Sequence, residues 1–145
     1  MIIIAHNIRS LHNVGSIFRN AAAFGIEKLY LTGFTATPPR KEIAKVALGA
    51  EELVEWEQGT AYLIIDMLKS KGYKVYGLET GPEAISIDEI DTSGTPVALV
   101  LGNEVDGIDK QTRSYLDGLL EIPMQQKRSL NVSVASGVAM YVLRG

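Results

Sequence analysis

Residues Ile122–Gly137 read IPMQQKRSLNVSVASG, and the order of chemistries in this stretch decides how the end of the chain is built. An apolar strand end runs into Pro123, the polar and basic loop Gln125-Gln126-Lys127-Arg128 follows, and a helical pattern then opens on Ser129, Asn131 and Ser133. The first N–H groups of a helix have no partner inside it, so these three side chains are either caps or donors aimed at a ligand. Both readings stand at this point, and no Glu or Gln follows three residues later to complete a capping box.

Working outward, apolar runs rich in β-branched residues alternate with helical patterns, which predicts an α/β domain with a largely parallel sheet flanked by helices. Strands are expected at Met1–Ala5, Lys28–Thr32, Leu53–Trp56, Lys74–Leu78, Pro96–Leu101 and Leu119–Ile122. Helices are expected at Val14–Phe24, Arg40–Ala47, Ala61–Ser70, Asp109–Tyr115 and Leu130–Leu143, with Gly81–Gly94 as a loop. Open α/β sheets bind ligands beyond the carboxyl ends of their strands. Three such ends, Leu78-Glu79-Thr80, Leu101-Gly102-Asn103-Glu104 and Ile122-Pro123-Met124, are polar or glycine-bearing and can converge on one pocket. Neither a GxGxxG after the first strand nor a GxxxxGK[ST] occurs, so an ordinary dinucleotide or triphosphate fold has little support.

At 145 residues and 46% hydrophobic content the chain is expected to be one domain, residues 1–145, around one core. No run of about 18 apolar residues occurs, and the opening Met-Ile-Ile-Ile-Ala is too short for a secretory signal, so the expectation is a soluble, cytoplasmic protein with no membrane contact. With no cysteine and only His6 and His12 as imidazoles, no disulfide and no metal are expected. The net charge of −3 is unevenly spread. Residues 1–48 carry a net +4, residues 49–120 a net −9 and residues 121–145 a net +2.

Two further segments, NVGSIFRNAAAFG at Asn13–Gly25 and VLGNEVDGID at Val100–Asp109, precede the Ile122–Gly137 stretch in that order. Together the three resemble the SpoU/TrmH branch of the SPOUT superfamily, whose members transfer a methyl group from S-adenosyl-L-methionine to a ribose 2′-hydroxyl of tRNA or rRNA. The resemblance covers nearly the whole chain. It implies a carboxyl-terminal deep trefoil knot, which general topology rules would reject, and a homodimer in which the first motif reaches the active site.

By the same resemblance, Leu78, Thr80, Gly102, Ile122 and Leu130 match positions that line the cofactor pocket, and Arg19 matches the catalytic arginine. On pattern alone Leu78, Ile122 and Leu130 are core residues, Gly102 is a glycine that lets a ligand approach the backbone, and Arg19 is a surface residue. Asn13, Glu104, Ser129 and Asn131 match positions in and around the active site. Their plain alternatives are a helix N-cap, a turn acid, a second N-cap and a turn amide. Asn13 can orient Arg19, or sit at the helix entrance, and Glu104 can pair with an arginine.

The family usually has a glycine two residues after Ile-Pro-Met and one more residue before Ser-Leu-Asn, so the glycine-free Gln125–Arg128 loop departs from its pattern. No RNA-binding extension precedes the first strand, so recognition is expected to use this domain or a second copy of it. Arg9, Arg40, Lys41, Lys45, Lys127 and Arg128, from the two basic segments, are the candidates for one RNA-binding face; chance segregation of surface charge is the alternative. The rival functions are a catalytically idle RNA-binding module with the same fold and a small-molecule methyltransferase.

Overall fold

The computed structural model describes residues 1–144. Seven strands form one sheet: β1 (Ile2–His6), β2 (Lys28–Thr32), β3 (Trp56–Gly59), β4 (Lys74–Leu78), β5 (Ile85–Ser86), β6 (Val97–Leu101) and β7 (Gly118–Glu121). Their order is β3-β2-β1-β6-β4-β7-β5, and every pairing is parallel. The two central strands, β1 (IIIAH) and β6 (VALVL), are buried along their whole length. Parallel strands are covered on both faces, which explains why they read as continuous apolar runs rather than alternating ones.

Helices α1 (Leu11–Ala23), α2 (Lys41–Ala47), α3 (Ala50–Leu53), α4 (Ala61–Ser70), α5 (Lys110–Arg113) and α6 (Val132–Leu143) connect and cover the sheet. Ser10 caps α1, its hydroxyl accepting from the Asn13 N–H at 3.1 Å. Val14, Ile17, Phe18 and Ala21, spaced as one helical face, are fully buried with Leu29, Leu31, Leu99 and Leu101 from the strands and Ala139 and Met140 from α6. On the other face Ile64, Ile65 and Leu68 of α4 pack on Ile4, Val75, Ala98 and Val100. The sheet thus separates two cores.

The expected elements are present, with α1 starting at Leu11 rather than Val14, α5 covering Lys110–Arg113 rather than Asp109–Tyr115, and further differences elsewhere. Residues 50–53 form α3, so the third strand starts at Trp56 rather than Leu53. Leu53 and Val54 look like a strand start because they are apolar, yet Leu53 is 79% exposed and only Val54 is buried. Inside the expected Gly81–Gly94 loop, Ile85–Ser86 pairs with β7 as an edge strand too short to leave a periodic signal. Helix α6 begins at Val132, not Leu130, because Asn131 is its cap.

Gly15 lies where α1 meets α2. A Cβ there would come 2.7 Å from the Ile43 carbonyl oxygen and 2.9 Å from Val46 Cβ. Gly15→Ala gains about 1 kcal/mol of helix propensity but forces backbone apart, a cost of about 1–3 kcal/mol. The variant is therefore expected to be the less stable protein, with a lower denaturant midpoint at unchanged m-value; a midpoint at or above the parent's would show that α2 yields freely.

Candidate active site

Because all strands run the same way, Leu78, Leu101 and Glu121 end β4, β6 and β7 on one edge of the sheet. Beyond them lies a cleft of about 570 Å³, closed on its far side by residues 128–132 and the first turns of α6. Leu78, Thr80, Gly102, Ile122 and Leu130 all line it, together with Glu104, Arg128, Ser129 and Asn131. Its walls are apolar at Leu78, Leu101, Ile122, Leu130 and Val132. Its charged lining is Glu79, Glu104, Asp106 and Glu121 against Arg128 alone, so the cleft favours a cationic ligand group.

Residues 102–107 form one wall of it, within a loop that runs on to Asp109. Asn103 and Gly107 exchange backbone hydrogen bonds at 3.0 Å each, and the Asn103 side-chain oxygen accepts from the N–H groups of Val105 and Asp106 at 2.9 Å. Gly107 adopts φ +69°, the left-handed region that a glycine enters without strain. Glu79 supports the same loop by accepting from the Ile108 N–H at 3.0 Å while paired with Arg113. Gly102 lines the cleft and also has a reason within the fold for being glycine. A Cβ on it would come 2.7 Å from Gly107 C and from Ile108 N, so the loop's own backbone occupies that space.

Among the described residues Glu104 pairs with no arginine side chain. Its carboxylate accepts from the backbone N–H groups of Arg9 and Ser10, each at 2.8 Å, and from Asn13 Nδ2 at 3.3 Å. Burial pushes its pKa up, but these donors outweigh that and hold it below the ordinary carboxylate value. Asn13 sits in the first turn of α1, buried, and its side-chain oxygen accepts from Asn131 Nδ2 at 3.4 Å. Asn131 caps α6, its oxygen accepting from the N–H groups of Ser133 and Val134 at 2.9 and 3.4 Å. Glu104, Asn13 and Asn131 therefore form one relay that ties together all three sequence motifs. Ser129 lies exposed in the cleft lining; of the three polar side chains at this end, Asn131 is the helix cap.

Arg19 lies elsewhere in the chain. It is exposed on α1 and lines a second cleft of about 600 Å³ between α1 and α6, beside Asn20, Phe24, Ser133, Val134 and Tyr141. The two clefts share no lining residue, and Asn13 makes no hydrogen bond to Arg19. The basic candidates are all exposed but sit on separate elements: Arg40, Lys41 and Lys45 on α2 or its cap, Arg128 at the first cleft, Arg9 in the β1–α1 turn and Lys127 in the loop before α6. Arg40 is paired with Glu42 at 3.2 Å. Asn103 and Glu79 stand in the polar strand ends that the sequence marks, but their part in holding the 102–109 loop rests on contacts that only the fold makes.

A parallel α/β sheet with a ligand-sized cleft beyond its strand ends places the protein among the open α/β folds that bind a small molecule. The SpoU rRNA Methylase family's sequence profile matches residues 1–141, and the chain belongs to that family. It is 35% identical over 144 residues to the 23S rRNA (guanosine-2′-O-)-methyltransferase RlmB of Xanthomonas axonopodis pv. citri, across 97% of this chain and 57% of that protein. The chain thus spans little more than half the length of such curated relatives. Among solved structures, the TrmH/SpoU tRNA modifying enzyme of A. aeolicus superposes with a TM-score of 0.88 at 28% identity, over 99% of this chain and 73% of that one. The rRNA methyltransferase of Sinorhizobium meliloti superposes at 0.91 with 24% identity, over 99% of this chain and 54% of that one, a likeness of fold.

The Glu104 relay carries a definite pH dependence. A carboxylate whose folded pKa is depressed adds stability above its unfolded pKa, near 4.3 for Glu, and loses it as pH falls through the folded value. The melting-temperature gap between the parent and Glu104→Gln is therefore expected to be full at pH 7 and to close below pH 4. A gap independent of pH would show that the backbone N–H groups of Arg9 and Ser10 do not depend on the charge.

Proposed function

We propose that this chain is the catalytic unit, a single SPOUT domain over residues 1–145, of an S-adenosyl-L-methionine-dependent RNA methyltransferase acting on a ribose 2′-hydroxyl. The observation that carries this reading is the convergence of five motif-matched lining residues with Glu104, Ser129 and Asn131 on one cleft. The cleft fits the cofactor in kind. Its volume lies within the roughly 300–1,000 Å³ typical of small-molecule sites, its walls are apolar enough for an adenosine, and its acidic lining suits a sulfonium and an ammonium. When bound, the cofactor supplies an electrophilic methyl group. In this reading the carboxyl-terminal segment is threaded as the family's trefoil knot, and the protein works in the cytoplasm.

Arg19 keeps its charge in this scheme. Losing a proton from a guanidinium at neutral pH costs roughly 7 kcal/mol at about 1.4 kcal/mol per pKa unit, too much for a base. Its planar fork instead holds the RNA phosphate beside the target ribose and offsets the negative charge that develops on the 2′-oxygen as its proton passes to that phosphate. Since Arg19 does not line its own chain's cofactor cleft, a second copy is part of the proposal. Helix α6 is apolar on nearly every side: Ala139, Met140 and Leu143 face the core, while Val134, Val138, Tyr141 and Val142 are exposed. A helix apolar all round is one that expects to be covered, and covering it with a second copy would bring Arg19 into an interface. Relatives that act on guanosine in 23S rRNA make rRNA the first substrate to test, with tRNA second.

Incubation with methyl-labelled cofactor and total RNA, followed by nucleoside mass spectrometry, is expected to yield a 2′-O-methylated nucleoside. RNA binding without transfer would identify an idle module instead. Arg19→Ala is expected to lower turnover by roughly 10²–10³ while leaving affinity for S-adenosylhomocysteine within about twofold; retained turnover would remove Arg19 from the chemistry.

RNA binding is expected to weaken with salt, with a log–log slope of about −0.7 per phosphate contact on single strands. Neutralising Lys127 and Arg128 together should flatten that slope, whereas neutralising Lys69 and Lys71, in the acidic segment, should not. Equal effects in filter binding would show that the Lys127–Arg128 loop is no part of an RNA-binding surface.

A further inference from the structure

We infer that His6 and Asp109 are positioning residues, a strut anchored on a buried imidazole that holds the 102–109 loop in its cleft-lining form and so sets affinity for S-adenosyl ligands; this rests on the cofactor reading above. His6 is the last residue of β1 and only 9% exposed. Its Nε2 lies 2.7 Å from Asp109 Oδ1, and its Nδ1 lies 2.8 Å from Thr32 Oγ1 at the end of β2. Asp109 is also the N-cap of α5, its Oδ2 accepting from the Thr112 N–H at 3.1 Å while the buried Thr112 hydroxyl donates to Oδ1 at 2.7 Å.

The proton arrangement follows from the partners. A carboxylate only accepts, and Asp109 is held below its ordinary pKa because the Thr112 and His6 donors outweigh the upward push of burial. His6 Nε2 therefore carries a hydrogen that it donates to Asp109. The Thr32 hydroxyl completes the ring's hydrogen bonding at Nδ1. The imidazole is shielded while the Asp109 side chain is 43% exposed, and a charge-assisted bond of this kind is among the stronger single polar ties available to a loop.

The strut is one of three ties between the same two segments. Asn103 Nδ2 donates to the Asn7 carbonyl at 2.8 Å, and Glu104 accepts from the N–H groups of Arg9 and Ser10. Residues 6–10 thus grip residues 103–109 at the start, one residue further on and at the end. Between the grips lie Val105, Asp106 and Gly107, all in the cleft lining. The Glu104 tie sits toward solvent and the Asn103 tie is half-buried, whereas the His6 tie joins a buried imidazole to a carboxylate that is also the cap of α5, so it holds the far end of the loop to two elements.

The test compares His6→Ala, His6→Gln and Asp109→Ser with the parent. Gln can still donate to Asp109, and Ser at position 109 keeps a good helix cap while removing the partner of His6. Calorimetry with S-adenosylhomocysteine is expected to show affinity lowered roughly tenfold in His6→Ala and Asp109→Ser, the size of one charge-assisted hydrogen bond, and largely restored in His6→Gln. Without any ligand, hydrogen exchange measured by NMR should speed up at the Asn103 and Gly107 amides in the two disrupting variants and stay unchanged at the β1 and β6 amides. Parent-like affinity and parent-like exchange in Asp109→Ser would overturn the strut. A parent that binds neither S-adenosyl compound would instead overturn the cofactor reading on which the affinity claim rests.

Discussion

The parallel pairing of β1 with β6 is the constraint on which the site depends. It sets Ile2 against Ala98 and Ala5 against Leu101, so both strands end at the same height on the same edge. The segments that leave them, residues 7–10 and 102–109, must then run side by side. Each carries backbone groups that have left the sheet and need partners. They find them in each other: Glu104 takes two N–H groups from the start of α1, and Asn103 takes the Asn7 carbonyl. One register choice in the core therefore builds a wall of the cleft and fixes the entry of α1 together.

Charge is unevenly arranged. The cleft lining is mostly acidic, which suits a cationic small molecule and repels phosphate, whereas of the six basic candidates only Arg128 lines it and the others stand on α2 or its cap, in the β1–α1 turn and in the loop before α6. A net charge of −3 is thus compatible with an RNA partner, since the field that matters to each ligand is local. The exposed apolar side of α6 is the other unbalanced surface. Its core-facing side is already packed against α1 and β6, so Val134, Val138 and Val142 remain outside the core, and Tyr141 meets Phe24 at its rim.

Much of the fold was legible because long apolar runs in parallel strands and the helical face of α1 are local patterns with strong periodicity. Short elements were not. Residues 50–53 and 85–86 are too brief to show a period, and their state is set by what they pack or pair with. The cleft-lining positions were legible through motifs, but the packing reason for Gly102 was not. Only the folded chain shows that Gly107 and Ile108 fill the space its side chain would need.

By itself, then, the sequence determined the alternation of strands and helices, which strand ends are polar, the family resemblance and the segregation of charge, since each depends on residues near one another in the chain. Tertiary structure alone decided the partners of the polar groups. Glu104 meets Asn13 across 91 positions and His6 meets Asp109 across 103, and no local pattern encodes such distances. The placement of Arg19 is of the same kind. It follows Asn13 by six residues on one helix, yet the turn of that helix carries it to a different cleft, because 3.6 residues per turn set neighbours at three and four positions, not six.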